Sequence, residues 1–510
     1  MVLALAAGAF AVPTFSTQAF FPIEIFPLSI FALVILFGLW LPASPTPDKR
    51  EAARLGFYLG FYFGLGLFGA GIGWIYIALH DYGGMSPVLA LLATAFFAAF
   101  LSVFPALVGY AQARFSTPLW ARLTLIMPAL WVLLEWLRGM IFTGFPWLTM
   151  GYSQVSAYSP LAGYAPVLGV YGVSLIVAAS AGLLVLWWQM RWRTQGKLSL
   201  AGLVLLWGTG AILHTVEWTQ AEGAPVQVAL LQGNISQHLK FREETLVNTL
   251  ETYRKLVLQS EARLIILPET AIPLLRQNMP QHYLEILREH AQKNKGDILI
   301  GGFEKEQGQY FNSVFSLGTA ESQSYRKNHL VPFGEFIPLR PALGWLINGV
   351  LNIPMSDLAR GGARQPVLQV AGQRVAIDIC YEDVFGEEII RYLPEATLLV
   401  NVTNDAWYGK SNAAMQHNQI AQMRTLESGR MMLRATNTGV TSIIRRDGTV
   451  QAMLPQHEEG VLIGQVQGYS GSTPYVRWGN VAVLLLIAVM LAVAWRRHYS
   501  SPDKGRLGGV

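Results

Sequence analysis

The sequence predicts a polytopic α-helical membrane domain of about eight spans joined to an extracytoplasmic α/β domain, and three observations carry that prediction. Of 510 residues, 52% are hydrophobic and 14% charged, with a mean hydropathy of +0.35, against about 25% charged residues in an ordinary soluble domain. The apolar excess is concentrated in the first 216 residues and the last 30, while Gly223 to Gly468 has the composition of soluble protein. Basic residues occupy alternate loops between the apolar runs. These features argue against disorder and against a purely soluble globule. The net charge of +5 and pI of about 9.1 call for no nucleic-acid partner, because much of the basic surplus lies in those short loops.

A span needs about 20 mostly apolar residues. Candidate cores are 21–42, 56–79, 87–110, 121–137, 163–188, 199–216 and 480–495, with Met1–Val12 as a short, marginal first span that lacks the basic start of a signal peptide. Lys49, Arg50, Arg54, Arg114, Arg122, Arg191, Arg193, Lys197, Arg496 and Arg497 mark the alternate loops, which the positive-inside rule places in the cytoplasm. Both termini are then cytoplasmic, and the soluble region lies outside, in the periplasm of a Gram-negative inner membrane. The expected division is 1–217 for seven spans, 218–470 for the periplasmic catalytic domain, and 471–510 for the last span and a short tail. One outer loop carries Glu135 and Arg138 ahead of Phe145, Pro146 and Trp147. Arg138 reads either as a snorkelling anchor in an aromatic belt or as a lipid-headgroup contact.

From Gly223 the pattern changes to short β-type runs: "VQVALLQG", "RLIILP", "DILIGGF", "NSVFSL", "RVAIDIC", "TLLVNVTN" and "VTSIIRRDG". Helical candidates lie between them, including "EETLVNTLETYRKLVLQSEA" and "AAMQHNQIAQMRTLESGRMMLRAT". Polar residues stand where apolar strands end: Glu269 after "LIILP", Cys380 after "VAIDI", and Asn401, Asn404 and Asp405 around "TLLVNVTND". Open α/β sheets collect their ligand sites at such ends. Cys380 is the one cysteine, so neither an intramolecular disulfide nor a Cys-cluster metal site is available, and no metal or cofactor is expected. Alone, a single Cys is a small buried hydrophobe, Glu269 a solvated carboxylate and Lys327 a surface charge; only together do they carry information. A helix starting beyond Cys380 would lower the thiol pKa.

"LPETAIP", "YRKNHLVPFGEFIP" and "CYEDVFGE", in that order, resemble the Glu, Lys and Cys blocks of the nitrilase (carbon-nitrogen hydrolase) superfamily. With the flanking spans, "FTGFPWL", "NVTNDAWYGKS" and "ATNTGVTS", nearly the whole chain resembles its membrane-bound branch, the bacterial apolipoprotein N-acyltransferase family. The resemblance implies a layered α-β-β-α sandwich, with Glu269 as general base, Lys327 as electrostatic stabiliser and Cys380 as nucleophile. It implies further that Glu335 holds Lys327 or Glu269, that Tyr381 shapes the pocket, and that Glu382 positions either one. A phospholipid, typically phosphatidylethanolamine, would donate an acyl chain to a Cys thioester, and the amine of diacylglyceryl-cysteine on an apolipoprotein would receive it. Nothing requires more than a monomer. The chemistry fits: a thiol needs a base to attack an ester, and the oxyanion needs a fixed positive partner. His329, near Lys327, is not needed as a base beside that set. Where the family commonly has Trp, this chain has Phe241, which lacks an N–H donor.

Between the Lys and Cys blocks runs "LRPALGWLINGVLNIPM", whose Trp345, Leu346 and Ile347 suggest an apolar arm dipping into the bilayer surface. A membrane-tethered amidase acting on small amides is the alternative enzyme, although it would need only an anchor. A transporter or scaffold with a dead hydrolase domain is disfavoured by the intact Glu, Lys and Cys and by the few charges within the spans.

Overall fold

Along residues 226–231 successive side chains point to opposite faces of a strand, and both faces are apolar: Val226, Val228 and Leu230 on one side, Ala229 and Leu231 on the other. A strand buried on both faces belongs inside a layered fold. The structure, a computed structural model, describes residues 1–16, 25–41, 48–337 and 357–499. It divides into two compact units, one of Met1–Gly73, Leu91–Val216 and the chain from Trp478, the other of Trp74–Ala90 and Glu217–Arg477.

In the second unit the strands are β1 (Thr219–Gln232), β2 (Leu264–Ile266), β3 (Asp297–Glu306), β4 (Gln309–Gly318), β5 (Ser324–Arg326), β6 (Leu368–Val370), β7 (Gln373–Ile379), β8 (Leu398–Thr403), β9 (Met432–Thr436), β10 (Ser442–Ile444), β11 (Val450–Met453) and β12 (Gly460–Gly471). Among the described residues they form two six-stranded sheets, ordered β12-β1-β2-β3-β4-β5 and β11-β10-β9-β8-β7-β6. The centre of each is parallel, β1-β2-β3 and β7-β8-β9, and the flanking strands are antiparallel. Val228, Leu230, Ile266 and Val314 from one sheet share a core with Ile377, Val400, Val402 and Leu433 from the other. The outer face of the first sheet packs Ile265, Ile298 and Ile300 against Tyr253, Leu256, Leu284 and Leu287 of the helices Glu243–Leu258 and Gln281–Lys293. The outer face of the second packs Leu399, Met432 and Ile444 against Ala421 of the helix Ala413–Ser428. The result is an α-β-β-α sandwich.

The expected helix running to Thr436 is a correction. It ends at Ser428, capped by Gly429 in the left-handed conformation (φ 65°), and Met432–Thr436 turns back as the buried strand β9. Neighbouring strands, which sequence periodicity does not register, decide that exchange. Trp74–Ala90 groups with this unit too: the Trp74 indole N–H donates to Gln416 Oε1 at 3.1 Å, and its ring meets Tyr408 at 4.6 Å.

The first unit is helical. Pro87–Ala113, Leu119–Arg138, Pro160–Met190 and Thr194–His214 are long and apolar enough to cross a membrane, and the bent pair Lys49–Gly71 with Trp74–Tyr82 makes a fifth if counted as one span. Val2–Phe15, Pro27–Leu39 and Val481–Arg496 are apolar but shorter, so by length alone the described residues give four or five spans, and the expected count of about eight is not confirmed. The short first helix sits tightly on Lys49–Gly71: a Cβ on Gly8 would overlap the Phe63 carbonyl, and one on Gly66 the Leu5 carbonyl. Small residues permit such close approach where lipid supplies no hydrophobic drive.

Candidate active site

Lys327 and Cys380 follow directly on β5 and β7, and Glu269 stands three residues past β2. Parallel strands end together, so residues far apart in sequence meet at one edge of the sandwich. Lys327 Nζ lies 2.9 Å from Glu335 Oε1 and 3.5 Å from Glu269 Oε1, and its side chain has no exposure. Glu269 is 7% and Cys380 8% exposed. Burial opposes the Lys327 ammonium, but Glu335 and Glu269 outweigh it and hold its pKa well above the usual lysine range. Lys327 is therefore a fixed cation.

Burial, then the Glu269 charge, push the Cys380 thiol well above its usual pKa, and Lys327 only partly opposes them. This corrects the expected lowering by a helix terminus. Cys380 opens a single 3-10 turn, Cys380–Val384, too short for an appreciable dipole, and burial dominates. The resting residue is a thiol that needs a base. Its backbone is left-handed (φ 55°), a strained conformation for a side-chain-bearing residue.

Glu335 also accepts the Val331 N–H at 2.8 Å through Oε2, which locks the turn that holds it. Glu382 does not touch Lys327 through a hydrogen bond. It accepts the backbone N–H groups of Asn328 (2.7 Å), His329 (3.0 Å) and Ile379 (2.8 Å), tying the segment after Lys327 to the residue before Cys380. Burial raises its pKa to about 7. The Tyr381 ring lies edge-on to Phe385, with centroids 5.3 Å apart. His329 stacks on Phe385 and faces Glu388 at 3.2 Å, an arrangement that gives it a partner of its own.

Two residues escaped sequence reasoning. Asn312, in mid-β4, donates through Nδ2 to Glu269 Oε1 (2.7 Å) and lies 3.2 Å from Glu335 Oε1. A lone Asn in the apolar run "FNSVF" was the available signal. Lys240 is 2% exposed and donates to the Glu269 carbonyl oxygen at 3.1 Å; burial lowers its pKa to about 8. Beside it, Phe241 is 39% exposed.

Arg138 belongs to the first unit. It is 3% exposed there, donates to the Phe145 and Trp147 carbonyls at 2.6 Å each, and stands 3.2 Å from Thr149 Oγ1. Its guanidinium is turned inward and holds a loop. Trp345, Leu346 and Ile347 lie outside the described residues.

The sandwich is that of a carbon-nitrogen hydrolase domain, which residues 227–475 match. Residues 14–183 match the apolipoprotein N-acyltransferase N-terminal domain. The apolipoprotein N-acyltransferase of Nitrosomonas europaea is 51% identical over 475 residues, covering 92% of this chain and 93% of that protein. That of Methylococcus capsulatus is 42% identical over 480 residues, covering 93% of each. Among solved structures, the C. elegans NitFhit protein is 14% identical with a TM-score of 0.39, covering 51% of this chain and 63% of that one. The chain belongs to the apolipoprotein N-acyltransferase family.

Proposed function

We infer that this protein is an N-acyltransferase that moves an acyl chain from a phospholipid, phosphatidylethanolamine foremost, to the N-terminal amine of diacylglyceryl-cysteine on apolipoproteins. The observation that carries the mechanism is the buried pairing of Lys327 with Glu269 and Glu335 in electrostatic reach of the Cys380 thiol. Glu269 takes the thiol proton as Sγ attacks the ester carbonyl. The oxyanion forms beside the Lys327 ammonium, in a water-poor site where such a contact contributes roughly 3 kcal/mol. Collapse breaks the ester C–O bond, and the leaving alcohol takes the proton back from Glu269, leaving a thioester on Cys380. The acceptor amine then attacks the thioester, Glu269 accepts one amine proton, and the departing thiolate recovers it as thiol.

Tyr381 shapes the pocket, Glu335 holds Lys327, Glu382 couples the Lys and Cys segments, and Phe241 covers the substrate. The enzyme works as a monomer in the bacterial inner membrane, with catalysis on the periplasmic side and both termini in the cytoplasm, as the alternate basic loops support. A small-amide amidase could use the same three residues, but relatives that match through the membrane half favour a lipid substrate. Intact-mass analysis after incubation with phosphatidylethanolamine tests the reading. One acyl mass, removed by hydroxylamine and lost in Cys380→Ala, is expected; an adduct that persists in Cys380→Ala refutes it.

A further inference from the structure

Beside the nucleophile, four buried charged side chains close into a ring. His417 Nε2 lies 2.8 Å from Asp383 Oδ1. Asp383 Oδ2 is 3.0 Å from Arg434 Nη1, and Arg434 Nη2 is 3.1 Å from Asp405 Oδ2. Asp405 Oδ1 is 2.9 Å from His417 Nδ1, which completes the circuit. Each member is 2% exposed or less. The ring gathers the turn after β7, the turn Asp405–Tyr408 after β8, strand β9 and the helix Ala413–Ser428, and Asp378, Asn401 and Arg434 stand level with one another across the three parallel strands. The Cys380 carbonyl oxygen accepts from Asn401 Nδ2 and faces His417 Nε2, both at 3.3 Å.

An ionised carboxylate only accepts hydrogen bonds, so a histidine with a carboxylate oxygen at each ring nitrogen donates from both and is an imidazolium. Arg434 is always charged. Two carboxylates, one guanidinium and one imidazolium sum to zero, the condition under which a buried charge cluster is tolerated.

We propose that His417 is a positioning residue of this site: its imidazolium keeps the ring electrically neutral beside Cys380 and steadies the strained backbone of the nucleophile. The inference rests on the reading of Cys380 as the nucleophile. Without the His417 charge the ring carries one net negative charge, which disfavours the thiolate as any nearby like charge does. The groups facing His417 are Asp383, Asp405 and Arg434; those acting on Cys380 are Glu269, Lys327, Asp405, Lys240 and Tyr408.

Because the chain has one cysteine, iodoacetamide alkylation of the full-length protein in detergent reads Cys380 alone. Its rate is followed against pH by mass spectrometry. His417→Gln should move the alkylation midpoint upward and slow acylation by phospholipid at least tenfold. Asp405→Asn should move the midpoint downward, and the charge-balanced pair His417→Gln with Asp405→Asn should return it towards the wild-type value. A merely structural histidine would lower the melting temperature without moving the midpoint or showing this rescue. An unmoved midpoint in folded His417→Gln overturns the proposal; should that variant fail to fold, Asp405→Asn decides alone. Shifted midpoints in a protein that phospholipid never acylates would instead refute the acyl-transfer reading and leave the ring's electrostatic role standing.

Discussion

The Tyr325 hydroxyl lies 3.0 Å from both carboxylate oxygens of Glu382. With three backbone N–H groups on the same carboxylate, this contact makes Glu382 the tie between the strand leading to Lys327 and the strand leading to Cys380. Glu382→Gln puts an amide N–H₂ where an acceptor is required, so at least one buried donor loses its partner at a cost of about 1–3 kcal/mol. A lower melting temperature and slower Cys380 acylation are expected, measured on the same preparation. An unchanged melting temperature would mean that the tie is dispensable.

Glu269→Gln removes the base and Lys327→Ala the oxyanion's partner. Each should slow Cys380 acylation by roughly two orders of magnitude or more. Single-turnover acylation followed by intact mass checks both, and rates within tenfold of wild type would contradict the assigned roles.

Stability should fall in alkaline solution through His417. Burial and Arg434 oppose its charge, yet Asp383 and Asp405 raise its pKa from 6.5 to about 9. A raised folded-state pKa means that the folded state holds the proton more tightly. The stabilisation is therefore complete below about pH 6.5 and is lost as pH rises through about 9, with a full size of about 3 kcal/mol. Thermal melts across this window should decline more steeply for wild type than for His417→Gln, and equal slopes would contradict the protonation assigned.

The membrane arrangement is open to thiol labelling in a Cys380→Ala background. Lys49, Arg193 and Glu321 are all exposed, so burial does not confound the comparison. A cysteine at Lys49 or Arg193 should resist an impermeant reagent in spheroplasts, while one at Glu321 should label. Labelling at Arg193 with protection at Glu321 would invert the proposed orientation.

An acyl chain drawn through water costs about 0.8 kcal/mol per methylene, so an apolar route from the bilayer is required. Replacing Trp345, Leu346 and Ile347 together with Ser should slow acylation by long-chain phospholipid far more than by a short-chain, water-soluble thioester. Equal slowing of both donors would make the segment ordinary core.

Local composition and periodicity were sufficient for the division into an apolar and a more polar half and for strands such as "VQVALLQG" and "TLLVNVTN", whereas Glu269, Lys327 and Cys380 stood out only through the resemblance of their blocks to the nitrilase superfamily. Hydropathy and alternation are properties of neighbours in sequence. Tertiary structure alone decided that Met432–Thr436 leaves the helix to become a strand, because buried pairing with β8 overrides helix periodicity. It also decided that Asn312 meets both Glu269 and Glu335, that Arg138 turns inward, and that the Cys380 thiol is raised rather than lowered. Each of these depends on charges and donors brought together from distant segments, and on the loss of water that accompanies their burial. The ring of Asp383, Asp405, His417 and Arg434 is the clearest case: its members belong to four elements, and only the parallel ends of β7, β8 and β9 make them neighbours.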